Sequence, residues 1–442
     1  MADQKNIKEK NLLASLYDGI FAGGMIGFTQ DYFAPFLLVL GGTGKDFGIL
    51  SSLPNFAAAL AQFFSADLTD KVRSRKKVFT LFVLLQAGVL LPMVLMALRK
   101  QASPASFIIL ATLFTAFGAF AMPAWGSLMS DLVSQNKRGI YFGWRNKVLG
   151  LIVVAMSFLA GFILHGMEKI DIYKGFAVIF SAAFLFRVLS WYFLTTMQDM
   201  PLEHKRENYF TFVQFLRRFR ESNFAKFVIF VALLNFSVNL ASPFFAVFML
   251  RDLKFSYLLY TVITITATLT VYLLNIRWGR HADKIGNLKI IRFTAPIIAT
   301  LPLWWVINRN PVFLILTQLV AGFAWAGFNL CASNFIYDAV TPEKRTRCIA
   351  YFNVFNGMAL CMGALLGGFL VERLPALFGY QILTLFVISS SLRLLVAFLA
   401  PFKLKEVRAV EKVSSHRLFF SMLGIKPVLG VERKIIHYEN EA

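Results

Sequence analysis

Charged residues are scarce in this chain of 442 residues, and acidic ones are the scarcest. Only 16% of the residues are charged, with 24 acidic against 45 basic side chains, whereas about a quarter is usual in a soluble domain. The three cysteines and five histidines show neither a disulfide framework nor a zinc spacing. The sequence also lacks a P-loop and the serine–histidine, HExxH and paired-carboxylate patterns. These absences argue against an ATP-driven pump, an enzyme, a metal site and a cofactor.

Apolar residues, by contrast, are abundant and occur in long runs. They make up 57% of the chain, and phenylalanine alone occurs 48 times. Because a helix needs about 20 apolar residues to cross a bilayer, and because the runs are continuous rather than alternating, the sequence predicts an all-α polytopic membrane protein. The first run follows a basic start without a cleavage site, so we expect a retained span. The twelve predicted spans are 12–40, 47–69, 78–98, 106–131, 141–165, 175–197, 225–250, 255–278, 289–307, 312–338, 349–371 and 379–400.

The basic residues are distributed unequally between the two sides of these spans. The N-terminus, the even-numbered loops and the tail hold 34 lysines and arginines, whereas the odd-numbered loops hold 9. Since basic residues favour the cytoplasmic side, we predict a multi-pass protein of the cytoplasmic membrane with both termini in the cytoplasm. The same asymmetry explains the net charge of +21, so we do not expect a nucleic-acid partner.

Two stretches of the first half of the chain recur in the second half. "ADLTDKVRSRKK" (66–77) matches "GRHADKIGNLKI" (279–290), and "SDLVSQNKRGIYFGWRNKVLG" (130–150) matches "YDAVTPEKRTRCIAYFNVFNG" (337–357). The offsets are nearly equal, at 213 and 207 residues. A duplication of six spans leaves both copies the same way up. We therefore predict two parallel six-helix pseudo-repeats related by an axis along the membrane normal.

The duplication divides the chain into five segments. They are a cytoplasmic N-terminus (1–11), a six-helix bundle (12–198), a cytoplasmic linker (199–224), a second bundle (225–402) and a cytoplasmic tail (403–442). Within the linker, Phe212, Phe215, Leu216 and Phe219 share one helical face beside three arginines. That pattern predicts a basic amphipathic helix on the inner leaflet.

Two parallel six-span halves with a charged turn after the second span resemble the major facilitator superfamily. Its turn reads Gly-x-x-x-Asp-Arg/Lys-x-Gly-Arg/Lys-Arg/Lys, which Gly279, Asp283, Lys284 and Gly286 match, although Asn287 and Leu288 replace the usual basic residues. The opening stretch "LYDGIFAGGMIGFTQDYF" also resembles a widespread bacterial branch of the superfamily. The resemblance implies the fold of that superfamily and transport by alternating access.

The resemblance further implies a cytoplasmic gate of charged residues that holds the two halves together. A solvated turn that only sets the topology is the alternative. It also implies that spans five and eleven cross spans of the opposite half at Gly150, Gly161, Gly357 and Gly368. The predicted gate residues are Asp70, Lys71, Arg75, Asp131, Asp283, Lys284 and Asp338.

Four charged residues are the candidates for positions deep inside predicted spans, where a charge costs about 2.5–3.5 kcal/mol on insertion scales. Arg187 and Arg393 are equivalent in the two halves, and we expect structural roles for both, with Asp18 as the ion-pair partner of Arg187. Asp31 lies in the outer half of span one. It either carries a proton during the transport cycle or is simply hydrated at the end of the span.

The resemblance implies a substrate cavity formed mainly by spans one, four, seven and ten. Amides and aromatic rings there suit a polar or amphipathic organic molecule, and the lack of a basic cluster argues against a polyanion. Hydrogen bonding between helices is the alternative role for the amides. The candidate residues are Gln30, Asp31, Tyr32, Trp125, Asn235, Asn239, Trp325, Asn329 and Ser333.

Together these features predict a secondary active transporter that moves a small organic solute by alternating access and is coupled to protons. A transport-inactive relative that acts as a sensor or a membrane assembly protein is the alternative. We expect a monomer in the lipid bilayer whose partners are the solute and protons, with no metal or cofactor.

Overall fold

The computed structural model describes residues 2–100, 102–133, 138–199, 223–340, 345–399 and 404–406. Within these ranges, twelve helices are long and apolar enough to cross a membrane. The same ranges contain no strand beyond an isolated bridge between Leu377 and Tyr380. The prediction of an all-α polytopic membrane protein is therefore confirmed.

Ten of the twelve spans in the described ranges are single helices. Spans two to six are the helices Gly44–Val72, Arg75–Arg99, Pro104–Leu132, Arg138–Met167 and Ile172–Thr196. Spans eight to twelve are the helices Tyr257–Ile285, Asn287–Ile307, Pro311–Asp338, Arg345–Val371 and Gln381–Leu399.

Spans one and seven are interrupted at corresponding positions of the two halves. Span one consists of Ala2–Thr29 and Phe33–Val39, and span seven of Asn223–Asn239, Phe244–Val247 and a π-helical turn, Phe248–Asp252. Pro243 belongs to the interruption of span seven, where its missing N–H removes a helical hydrogen bond. Paired interruptions of this kind point to a binding site, because the freed backbone groups need partners.

One face of the bundle carries the beginning and the end of each half. Asn11 forms two hydrogen bonds with the backbone of Gln198, of 2.8 and 3.0 Å. In the second half, Asn223 forms the same pair of bonds with Lys405, of 2.7 and 3.0 Å. We call this side the terminal face and the opposite side the loop face. The two halves are therefore the same way up, as the repeat predicts.

The buried apolar residues are organised differently at the two faces. Near the loop face, residues of both halves form a single cluster, in which Phe36 and Phe107 are buried together with Phe244 and Phe386. Near the terminal face, each half has a cluster of its own. The two halves are therefore packed together at the loop face, and they are not joined by a common core at the terminal face.

Glycines allow the halves to approach closely along two crossings, of span five with span eight and of span two with span eleven. A Cβ added at Gly150 would lie 2.6 Å from the Tyr272 ring, and one at Gly368 would lie 3.1 Å from the Cα of Gly48. Small residues permit such backbone approaches in membranes. All four glycines that were predicted at crossings are confirmed there: Gly150 with Tyr272, Gly161 with Thr261, Gly357 with Ala59 and Gly368 with Gly48.

The predicted amphipathic helix of the linker and most of the tail lie outside the described residues. The described beginning of the tail, 404–406, contacts the terminal face of the second half. Glu406 accepts a hydrogen bond of 2.7 Å from the backbone N–H of Leu288, and Arg292 donates to the carbonyl oxygen of Leu404 over 3.0 Å. This segment therefore binds the start of span nine.

Candidate transport pathway

Three adjoining cavities form a row inside the bundle. Their volumes are about 410, 580 and 650 Å³, within the range of about 300–1,000 Å³ that small-molecule sites occupy. Ala22 and Gly118 are among the residues that line both the first and the second cavity. Gln30 and Asn55 are among those that line both the second and the third. The cavities are therefore neighbouring parts of one pathway.

The largest cavity, which we call the central cavity, lies between the halves at both helix interruptions. Asp31 lines it from the interruption of span one, and Ser242 and Pro243 line it from that of span seven. Spans two, eight, nine and twelve contribute as well. The residues from these four spans are Ser51, Asn55, Tyr260, Thr264, Ala267, Thr268, Leu301, Trp305 and Arg393.

Five of the nine predicted substrate residues line one of the three cavities. Trp125 lines the first cavity, and the central cavity is lined by Gln30, Asp31, Asn239 and Trp325. Tyr32, Asn235, Asn329 and Ser333 are not on these walls. A helical stripe fixes which residues share a face, but the direction of that face depends on how the helix is rotated in the bundle.

Asn235 shows why a predicted cavity amide can lie elsewhere. Its side chain donates a hydrogen bond of 2.6 Å to the amide oxygen of Asn356 in span eleven. Its carbonyl oxygen accepts from the side chain of Asn239 over 3.2 Å. The alternative role considered for the amides, bonding between helices, therefore describes Asn235. Asn239 lines the central cavity, and its amide oxygen accepts a hydrogen bond of 3.5 Å from Ser51 of span two.

Tyr32 is fully buried at the contact between the halves rather than at the cavity wall. Its hydroxyl donates to the carbonyl oxygen of Ser157 over 2.5 Å and lies 2.8 Å from the hydroxyl of Thr261, in the opposite half. Next to it, the hydroxyl of Tyr260 donates to the carbonyl oxygen of Asp31 over 2.6 Å. The interruption of span one is thus bonded to span eight.

The predicted ion pair of Asp18 and Arg187 is indirect. Ser190 lies between the two side chains, because its hydroxyl donates to Asp18 over 2.7 Å and accepts from Arg187 over 3.0 Å. The direct ion pair of Asp18 is with Arg145, at 3.8 Å. Arg145 lies near the start of span five, where a basic residue is expected to face water, but its side chain is buried and lies 4.7 Å from the centre of the Trp125 ring.

Arg393, the equivalent of Arg187, has different surroundings. Its guanidinium donates to the hydroxyl of Ser389 over 3.0 Å and to the carbonyl oxygens of Ile298 and Val238 over 3.3 and 3.2 Å. None of the ion pairs found in the described ranges includes it. Arg393 is 3% exposed and lines the central cavity.

Three of the predicted gate residues, Arg75, Asp131 and Asp338, form contacts inside the halves. Arg75 and Asp131 form an ion pair of 2.6 Å that links spans three and four. In the second half, Asn287 donates to Asp338 over 2.8 Å and links spans nine and ten. The other predicted gate residues, Asp70, Lys71, Asp283 and Lys284, lie at the ends of spans two and eight. Their role in closing the terminal face stays a prediction.

The geometry defines a class of protein: a twelve-span helical membrane protein of two parallel halves that enclose a pathway for small molecules. The sequence profile of the Major Facilitator Superfamily matches residues 19–307 and 227–432. The chain belongs to this superfamily. No curated protein matches it in sequence.

Solved structures with the same fold are transporters rather than enzymes. The nucleoside transporter NupG has 17% sequence identity and a TM-score of 0.67, with 90% of this chain and 100% of that chain covered. A D-xylose–proton symporter has 13% identity and a TM-score of 0.68, with 92% and 99% covered. A bacterial homologue of the lysosomal transporter Spinster, solved in an inward-facing and unoccupied conformation, has 14% identity and a TM-score of 0.56, with 88% and 97% covered. At these identities the likeness shows the fold alone.

Proposed function

We propose that this protein is a secondary active transporter that moves a small organic solute across the cytoplasmic membrane and is coupled to protons. Both termini lie in the cytoplasm. The observation that carries the proposal is the central cavity, which lies between the two halves at the paired interruptions of spans one and seven. Such a site at the interface of two repeats becomes accessible from either side when the halves rock against each other.

The asymmetry between the two faces supports alternating access. The halves share one apolar cluster at the loop face and have separate clusters at the terminal face, so this conformation is closed at the loop face. Opening that face requires the bonds of Tyr32 with Thr261 and of Tyr260 with Asp31 to separate. The solute would then leave or enter on the loop side.

Asp31 is the residue that we propose as the proton carrier. It is the only carboxylate among the described residues that line the central cavity. The charged carboxylate of Asp31 is stabilised by water, whereas the protonated form tolerates a dry site. The two forms would therefore favour conformations of the protein that differ in how far water reaches the central cavity. The bond of its carbonyl oxygen to Tyr260 ties this position to the loop-face contact, which supports coupling between protonation and rearrangement.

The test uses purified protein in proteoliposomes and a solute identified by a thermal-shift screen of metabolites and drugs. We expect an imposed proton gradient to drive accumulation by the wild-type protein. Asp31→Asn is expected to bind the solute and to lose the pH-driven accumulation. Asp171→Asn is the matched control, because Asp171 is at the loop face, is paired with Lys100 at 2.7 Å and is outside the three cavities. Unchanged accumulation by Asp31→Asn would remove this residue from the mechanism.

Binding without flux under any imposed gradient would instead support the alternative, a transport-inactive sensor or assembly protein.

The orientation of the protein in the membrane is tested separately with C-terminal fusions in bacterial cells. A fluorescent protein at the C-terminus is expected to fold, and alkaline phosphatase at the same place is expected to be inactive. The reverse result would place the terminal face outside the cell.

A further inference from the structure

Arg393 is a buried cation on the wall of the central cavity, and no acidic residue of the described chain pairs with it. Its counterpart Arg187 is connected to Asp18 through Ser190. Span seven, which corresponds to the span of Asp18, contains no acidic residue before Asp252 at its loop-face end. A buried charge without a counter-ion is costly. The second half therefore has a position where an anion would be stabilised.

The hydrogen bonds of Arg393 hold the guanidinium in place and leave donors available. A guanidinium has five N–H groups, and the bonds to Ser389, Ile298 and Val238 occupy three of them. Val238 lies next to the interruption of span seven, and its carbonyl oxygen also accepts from the backbone N–H of Ser242 over 3.0 Å. Arg393 is thus fixed at the interruption, with two N–H groups available for a bidentate contact.

The remaining walls of the central cavity suit a molecule with one charge and an apolar body. Arg393 and Asp31 are the only charged residues on these walls within the described chain. The others provide amides, hydroxyls and aromatic rings, which include Asn239, Gln318, Thr317, Tyr260, Trp305 and Trp325. One cation pairs with one anionic group, whereas the further charges of a polyanion would lie beside apolar and neutral polar groups.

We propose that Arg393 binds the carboxylate of an organic monoanion whose aromatic or apolar body occupies the central cavity. This inference rests on the proposed function, because it names the solute class of the same site. Arginine and carboxylate form two parallel hydrogen bonds, which are shorter and stronger than bonds between neutral groups. Monocarboxylates are therefore the solutes of this carrier.

The first experiment measures binding to the wild-type protein by thermal unfolding in detergent. The probes are benzoate, phenylacetate and indole-3-acetate, each compared with its primary amide and with an amine of the same ring system. D-xylose and uridine serve as uncharged polar solutes. We expect at least one carboxylate to raise the unfolding temperature and its amide to bind at least tenfold more weakly. The inference is overturned if none of the three carboxylates stabilises the protein, or if the amides match them.

The second experiment assigns the preference to Arg393. Arg393→Gln is expected to abolish the difference between carboxylate and amide, and Arg393→Lys to weaken carboxylate binding several-fold because an ammonium does not form the bidentate contact. Arg251→Gln is the matched control, since Arg251 is exposed and pairs with Asp252 at 2.7 Å, outside the three cavities. If Arg393→Gln does not fold, Arg393→Lys decides. A purely structural arginine would lower stability without changing the ratio of carboxylate to amide affinity.

The outcomes also separate this inference from the proposed function. Carboxylate binding that depends on Arg393, without flux in proteoliposomes, would support Arg393 as the carboxylate site and refute transport. Gradient-driven uptake of an uncharged solute, with no carboxylate binding, would support transport and refute the role of Arg393.

Discussion

In the first half of the molecule, one buried acid faces two buried arginines, whereas the described part of the second half has a buried arginine and no buried acid. Asp18 lies 3.8 Å from Arg145 and is bonded to Arg187 through Ser190. Arg393 is bonded to carbonyl and hydroxyl oxygens only. The backbone frameworks, by contrast, agree in detail, since Asn11 and Asn223 form the same pair of bonds at the starts of their halves.

This difference indicates which features of the duplicated unit maintain the fold and which serve the site. Contacts that occur in both halves, such as Arg75 with Asp131 and Asn287 with Asp338, connect equivalent spans, and these residues line none of the three cavities. The features that differ between the halves, the carboxylate of Asp31 and the surroundings of Arg393, are at the wall of the central cavity. A repeated fold thus supplies an internal control, because a contact that occurs in only one half is not needed to maintain the shared fold.

The largest effect is expected from the first half, where Asp18→Asn would leave Arg145 and Arg187 without a counter-ion. Removing one partner of a buried ion pair costs about 3–5 kcal/mol, so we expect little folded protein and a strongly lowered unfolding temperature. Arg187→Gln should be milder, because Asp18 would retain Arg145 and Ser190. The measurement is folded yield and thermal unfolding of each variant in detergent.

The double variant Asp18→Asn with Arg187→Gln checks the interpretation. It should recover part of the loss, because only Arg145 would then remain uncompensated, and effects within one network are not additive. Wild-type stability in Asp18→Asn alone would contradict the contrast between the halves, since the first half would then tolerate an uncompensated cation as the second half does.

The fold was predictable because its signals are spread over many residues. The apolar runs predict the spans, and the unequal distribution of basic residues predicts which loops and termini share one side of the membrane. The recurrence of the charged turn at Asp70 and Asp283 predicts the duplication. The crossings at Gly161 and Gly368 also follow, since a missing side chain marks a close approach at the same register in both halves. The interruption of span one was not predicted, because "FTQDYFAP" has no glycine and its proline lies beyond the turn.

The site was only partly predictable, because cavity residues depend on how each helix is rotated and on which neighbours it meets. Asn239 and Trp325 line the cavity, whereas Asn329 and Ser333, from the same predicted stripe as Trp325, do not. Arg145 was missed because its position near the start of span five made it resemble a loop charge. Its pairing with Asp18 is a contact between spans one and five that no local pattern indicates.

The two crossings between the halves should both tolerate added atoms poorly, in contrast to a glycine elsewhere in the bundle. In Gly368→Ala, the new methyl group would lie 2.8 Å from the carbonyl oxygen of Gly44 and 3.1 Å from the Cα of Gly48, both of which are backbone. In Gly161→Ala it would lie 2.6 Å from the Cβ of Thr261, which cannot move without the backbone of span eight. Overpacking costs about 1–3 kcal/mol, and we expect both variants at the upper end, since neither crossing can make room without a shift of the backbone.

Thermal unfolding of both variants is compared with that of Gly88→Ala. Gly88 is in span three, and an added Cβ would have no neighbour within 4 Å. This control should be neutral or more stable, by up to about 1 kcal/mol, because alanine favours the helix. Equal losses in Gly368→Ala and Gly88→Ala would mean that the close approach of spans two and eleven contributes nothing to the packing of the halves.

The smallest expected effect concerns the bond between the halves at the loop face. Tyr32→Phe removes the hydroxyl that contacts Ser157 and Thr261, and a net hydrogen bond contributes about 0.5–1.5 kcal/mol. We therefore expect up to about a tenfold shift toward conformations open at the loop face, since 1.4 kcal/mol corresponds to a factor of ten. The shift is measured by electron paramagnetic resonance distances between labels at Lys169 and Ile307, which are exposed near the loop face of opposite halves.

Tyr173→Phe distinguishes a bond between the halves from a bond within one. Its hydroxyl donates to the carbonyl oxygen of Val39 over 3.1 Å inside the first half, so its loss should lower stability slightly and leave the label distances unchanged. Both variants are made after replacement of Cys331, Cys348 and Cys361, which are the free cysteines of the described chain. If Tyr32→Phe gives the same distances as Tyr173→Phe, the Tyr32 hydroxyl does not hold the loop face closed, and the shared apolar cluster and the bond of Tyr260 with Asp31 account for the closure.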